Sequence, residues 1–130
     1  MSDFIREAGW GIYPVLLFGA ISFAVAIRYA VAPKSELLPL VIGFGVATII
    51  AGALGTTTGL QATATYVANT GEANRWIFVE GLRESLNNMD AALLIAALNA
   101  LAATVGSYRL AKLRSAALAE GAAARSPAGV

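Results

Sequence analysis

Three long apolar stretches alternate with short polar ones along the chain, and the third changes character halfway. From Gly81 to Arg109 it reads GLRESLNNMDAALLIAALNALAATVGSYR. Its first half carries Glu84, Asn87, Asn88 and Asp90. Its second half, Ala91–Val105, is mostly Ala and Leu, with Asn99 and Thr104 the only polar residues. Advancing about 100° per residue from Glu84 puts Asn88 at about +40°, Asn87 at about −60° and Asp90 at about −120°. One broad face therefore holds Glu84 and the amides, with Asp90 at its edge. A carboxylate in hydrocarbon costs roughly 2.5–3.5 kcal/mol on insertion scales, so it persists where it faces a pore or a partner. The pattern predicts that the other helices serve to bury this polar half.

The first apolar run, Gly9–Ala32, is interrupted only by Arg28 near its end. It is too long for the apolar core of a signal peptide, and the mixed charges of Asp3, Arg6 and Glu7 do not make a basic start. It predicts a retained first transmembrane helix, with Pro14 about one turn inside, where proline is tolerated. Met1–Ala8 predicts a short interfacial helix. Ala32–Pro39 is a short connection. The second span then runs toward Leu60 and turns polar at its far end, through Gly55-Thr56-Thr57-Thr58-Gly59, Gln61, Thr63 and Thr65. Gly52, Gly55 and Gly59 form a small-residue stripe that lets another helix approach closely. The threonines either bond back to carbonyls of their own helix or join a polar seam with the third span, where Asn87 and Asn88 are its other members. Asn69–Asn74 is a turn, with Gly71 its breaker. The expected spans are about 9–32, 37–62 and 82–108 within a membrane domain over 9–114, followed by a flexible Ala- and Gly-rich tail over 115–130.

Composition agrees with an all-α membrane protein. Hydrophobic residues make up 58% and charged ones 13%, with a mean hydropathy of +0.69, far from ordinary soluble chains. The apolar blocks reach the roughly 20 residues that a bilayer crossing needs. A net charge of +1, without any basic cluster, gives no nucleic-acid partner. The absence of Cys and His removes disulfides, thiol catalysis and most zinc chemistry. No nucleophile with a base and no phosphate loop is visible, so the chain does not read as an enzyme, and no metal or cofactor is expected.

Charge also predicts orientation. Arg28, Lys34, Arg109, Lys112, Arg114 and Arg125 fall on the side of the first loop and the tail, against Arg6, Arg75 and Arg83 on the other. Six against three places the loop and tail in the cytoplasm, N-out and C-in. Trp10, Tyr13, Tyr66 and Trp76 would form the outer aromatic belt, with Tyr29 and Tyr108 the inner one.

Three blocks, in order, resemble the MotA/TolQ/ExbB proton-channel family, and most closely its ExbB/TolQ branch. Gly9-Trp10-Gly11-Ile12-Tyr13-Pro14-Val15-Leu16-Leu17 is similar to that branch's "GG…MYPLLL" opening. Leu54-Gly55-Thr56-Thr57-Thr58-Gly59-Leu60 resembles its "LGTVxGI", and Gly81-Leu82-Arg83-Glu84-Ser85-Leu86 resembles its "GIxEAL". The resemblance covers most of residues 9–109. It implies an inner-membrane subunit of bacteria that assembles as a pentamer around a partner's single-span helices and couples proton flow to rotation. It also implies that Thr56 and Glu84 are ion-pathway residues; the added Asp90 would extend that path. The chain differs in three respects. Ala32–Pro39 replaces a large cytoplasmic region, Met89 stands where relatives have a threonine, and Asn87, Asn88 and Asp90 stand where they are mostly apolar. A second reading is a non-conducting subunit that keeps the fold and anchors a larger membrane complex.

The charge count generates a direct expectation. Cysteines introduced at Ser2 and Ser126 should label from opposite sides of intact cells. Labelling from the same side would end the three-span topology.

Overall fold

The computed structural model describes residues 9–70 and 75–125, and all of its regular structure there is α-helical. Three helices follow one another: α1 (Ile12–Val31), α2 (Leu37–Thr70) and α3 (Arg75–Arg125). Each is long and apolar enough to cross a membrane. The expected interfacial helix over Met1–Ala8, much of the turn over Asn69–Asn74, and the last five residues lie outside the described residues.

α1 starts after Gly11, and Pro14 falls in its first turn, where a missing N–H breaks no helical bond. The link to α2 is tight: the Ala32 N–H donates to the Arg28 carbonyl at 2.9 Å and the Leu37 N–H to the Lys34 carbonyl at 3.0 Å. α2 and α3 run well past the expected spans. In α2 the extension carries threonines that satisfy themselves, since Thr63, Thr65 and Thr70 donate to carbonyls four residues back. At the other end, α3 continues as helix to Arg125, where the composition predicts a flexible tail from Ser115. Alanine has the highest intrinsic helix propensity, and this segment is rich in it, so the low complexity that looks like disorder also favours helix.

The three helices pack up–down–up through narrow seams. Buried positions of α1 are Ile12, Val15, Gly19, Ser22, Ala26 and Tyr29, alternating steps of three and four. α3 presents Ser85, Asn88, Ala92, Asn99 and Gly106 with the same spacing. This is the pattern of helices crossing at a shallow left-handed angle. Most of these side chains are small, as expected where lipid gives no hydrophobic drive and close contact must supply the cohesion. A β-carbon on Gly52 would fall 2.5 Å from the Ala92 β-carbon, and one on Gly11 would fall 2.8 Å from the Gly55 α-carbon.

Between α1 and α3 the register is constant. Ser22 meets Asn99, 77 positions on, through a 2.6 Å bond from the amide nitrogen to the hydroxyl. The same offset relates Gly11 to Asn88 and Tyr29 to Gly106, at the two ends of the seam. The Tyr29 phenol lies 3.2 Å from the Ser107 hydroxyl. Arg109 donates to the Ala30 carbonyl at 2.6 Å, satisfying one of the open carbonyls at the C-terminus of α1. Tyr29 is thus fully buried, contrary to the expectation of a membrane belt, because Gly106 leaves room for its ring.

Volume is tight at Gly52, where an added β-carbon meets the Ala92 β-carbon and the Asn88 carbonyl rather than the end of a flexible side chain. Gly52→Val should therefore lower stability by about 1–3 kcal/mol, the usual cost of overpacking. Gly43, with nothing within 4 Å of an added β-carbon, serves as the control. Gly43→Ala should leave stability unchanged or raise it by up to about 1 kcal/mol, the gain in helix propensity. Reversible unfolding in detergent measures both, and equal stabilities would contradict the packing.

Candidate functional site

The three sequence blocks meet at one level of the bundle. Gly11 of the first lies against Gly55 of the second, and both touch the side chain of Asn88, just after the third. One helical turn higher, a β-carbon on Gly59 would fall 2.5 Å from the Ser85 hydroxyl. Thr56 joins α2 to α3: its hydroxyl lies 2.9 Å from the Gly52 carbonyl and 3.0 Å from the Ser85 carbonyl. Its one proton is shared between these two backbone acceptors. Thr57 and Thr58 bond only to carbonyls of their own helix, Leu54 and Gly55. Of the three consecutive threonines, only Thr56 joins the seam with α3.

Above this junction opens a cavity of about 240 Å³. Its walls include Trp10, Gly55, Gly59, Gly81, Glu84 and Asn88. Glu84 is half-buried at the side of the cavity, while Asn88 is 2% exposed at its base. Asn87 is half-buried outside the seam. Asp90 points the other way: it is exposed, on the face of α3 opposite Ser85, Asn88 and Ala92. On the helical wheel the direction shared by those three residues and that of Asp90 differ by about 180°. Glu84, Thr56 and Asp90 therefore do not converge within one chain. Within one chain the polar half of α3 is buried at Ser85 and Asn88 but left exposed at Asp90.

The stagger of the helices also sets relative depth. The offset of 77 puts Asp90 level with Tyr13 and Glu84 beyond the start of α1. α1 has 20 residues and spans about 30 Å at about 1.5 Å per residue, the thickness of a hydrocarbon core. A bilayer fitted to α1 therefore reaches the polar residues of α3 only at its boundary, where Trp10 is 70% exposed. Thr56–Thr70 and Arg75–Asn88 stand above that boundary as a two-helix hairpin. The glycine stripe is likewise used inside the chain, by Asn88, Ala92 and Ser85, and so is not in itself a surface for other copies.

Below the cavity the seam is not a continuous polar path. Ile12, Val15, Ala51 and Ala92 form one apolar cluster, with Phe18 and Ile95 packed on it. Ala26, Tyr29 and Val41 form a second. Between them lies the polar layer of Ser22 and Asn99. The Asn99 amide oxygen is buried without a hydrogen-bond partner. Sequence reasoning did not single out this layer, nor the Tyr29–Ser107 and Arg109–Ala30 contacts. The available signal was the repeat of small and polar residues on α1 and α3 at one shared offset. The described residues contain no group of His, Cys, Asp and Glu able to hold a metal ion.

Comparison with protein-family models, with curated proteins and with solved structures finds no match.

The fitted boundary has a measurable consequence. In liposomes, a cysteine at Glu84 should react with a membrane-impermeant maleimide, while cysteines at Ser22 and Asn99 should be protected. Protection of the Glu84 position would place the cavity inside the hydrocarbon and overturn the assignment of depth.

Proposed function

We propose that the chain is a channel-type subunit of a proton-driven, energy-transducing membrane complex, in which several copies, most simply five, form a ring around a partner's transmembrane helix. One observation carries this reading. The three blocks that resemble the MotA/TolQ/ExbB family come together in space, with Gly11, Gly55 and Gly59 around a cavity that holds Glu84. Blocks separated by about 40 and 20 residues have no local reason to share a site.

The reading also accounts for the outward side of α3. Asp90 stands at the edge of the hydrocarbon with Leu94 and Leu101 below it on the same exposed face. A carboxylate beside such a stripe is better accommodated against another protein surface than against lipid. Because apolar clusters close the seam within the chain, a proton path would run between copies or along the partner, with Glu84 and Asp90 as proton-accepting groups at different depths. Single-span partners and a bacterial inner membrane belong to the same proposal.

A specific observation favours the second reading, a non-conducting anchoring subunit. The Thr56 hydroxyl is engaged by two backbone carbonyls, and Met89 occupies the position of the family's other threonine. Neither offers a hydroxyl free to pass a proton.

Proteoliposomes containing the chain and its partner separate the two. The conducting reading expects a proton flux that Glu84→Gln or Asp90→Asn abolishes while native mass spectrometry shows an intact oligomer. Absence of flux in the wild type, together with loss of partner binding in Asp90→Ala, would replace it with the anchoring role.

A further inference from the structure

Six residues of α1 form one outward line, Tyr13, Leu17, Ala20, Ala24, Ile27 and Val31, and all six are exposed. On the helical wheel this line is centred about 150° from the buried positions of α1. α3 carries a line of its own, Asp90, Leu94, Ala97, Leu101, Thr104 and Tyr108, again exposed throughout. Its centre lies about 180° from the direction of Ser85, Asn88 and Ala92. Both lines advance in alternating steps of four and three residues, the spacing of a left-handed coiled-coil seam. Each therefore has the form of a surface made to meet another helix.

The two lines also match in depth. α1 and α3 run parallel, and the offset of 77 positions that joins Ser22 to Asn99 also carries every member of the α1 line onto a member of the α3 line. In a ring whose axis is normal to the bilayer, a given residue has the same depth in every copy. α1 of one copy can therefore lie beside α3 of the next without any axial shift. Tyr13 then faces Asp90, Leu17 faces Leu94, Ala20 faces Ala97 and Ala24 faces Leu101. The alanine pair lets the backbones come close, and Ala24 leaves room for the leucine opposite. Thr104 brings no unmet proton, because its hydroxyl donates to the Ala100 carbonyl. Within one chain the two lines lie on different sides, so the contact is head-to-tail, the type from which closed rings are built.

We propose that copies of this chain associate through these two lines, α1 of one copy against α3 of the next, with the Tyr13 phenol of one donating to the Asp90 carboxylate of the other. Tyr13 is 62% exposed, and no described residue of its own chain accepts its proton. The contact gives that proton an acceptor, which lipid tails do not. It gives Asp90 a charge-assisted bond, the stronger kind of hydrogen bond, at the edge of the hydrocarbon. The proposal rests on the reading of a ring of copies and names the surface that closes it.

The test uses the full chain in its native membranes. The sequence has no Cys, so introduced thiols are the only ones. Two differently tagged forms, Ala20→Cys and Ala97→Cys, are expressed together and oxidised. The expected product is a disulfide-linked dimer that carries both tags and does not form when either variant is expressed alone. Val31→Cys, about 16 Å from the level of Ala97 at about 1.5 Å per residue, should not link to Ala97→Cys. Linkage of Ala20→Cys to itself would show a two-fold contact and overturn the proposal. So would a lack of linkage in rings that native mass spectrometry shows intact, and the ring would then stand without this surface. A monomer would remove both, whereas linkage in rings without proton flux would support the surface and remove conduction alone. Subunit exchange between labelled rings tests the pairing of Tyr13 with Asp90. Tyr13→Phe should speed exchange by about tenfold or more, the weight of a hydrogen bond to a charged group. In an Asp90→Leu background the same change should have no further effect. An equal effect in both backgrounds would overturn the pairing.

Discussion

The close approach of helix backbones where side chains are missing is the constraint on which this structure depends. In water a bundle of this size would be driven together by apolar burial; in lipid that drive is absent and contact itself must hold it. The chain meets this with glycines set against the larger groups of the neighbouring helix. Gly19 faces Ile95, Gly52 faces Ala92, Gly55 faces Asn88 and Gly106 faces Tyr29. Each glycine is a recess and each facing side chain fills it. The large apolar residues, such as Leu54, Leu94 and Leu101, are turned outward, where they meet lipid or other chains.

The same arrangement explains why polar groups gather where they do. The Asn99 amide nitrogen donates to the Ser22 hydroxyl in the middle of the seam, while the Thr48 hydroxyl donates to the Phe44 carbonyl. The larger polar groups lie at the end where α1 stops, where water can reach them. The cavity beside Glu84 lies where α1 begins, with Gly9, Trp10 and Gly11 on one side and α2 and α3 on the others.

Much of this was legible in the sequence and some of it was not, for physical reasons. Apolar run length gave three helices, because a bilayer crossing requires about 20 apolar residues whatever the packing. The spacing of Gly52, Gly55 and Gly59 marked a close contact, but spacing along one helix does not say which helix comes close. The depth of Asp90 was not legible for a related reason: depth depends on how α3 is staggered against α1, and stagger is a property of a pair. Tyr29 misled because an aromatic near a helix end fits both a membrane belt and an inward anchor, and only Gly106 opposite decides. For the segment after Ser115, disorder and helix share the same alanine-rich composition.

The constant stagger has a mechanical meaning. If α1 slid along α3 by one or two residues, Ile95 and Tyr29 would lose their recesses and Asn99 would leave Ser22 for apolar neighbours. Recesses at both ends and a hydrogen bond at the centre act as detents against such travel. Axial piston motion of α1 is therefore a displacement that this bundle resists at both ends of the seam and at its centre.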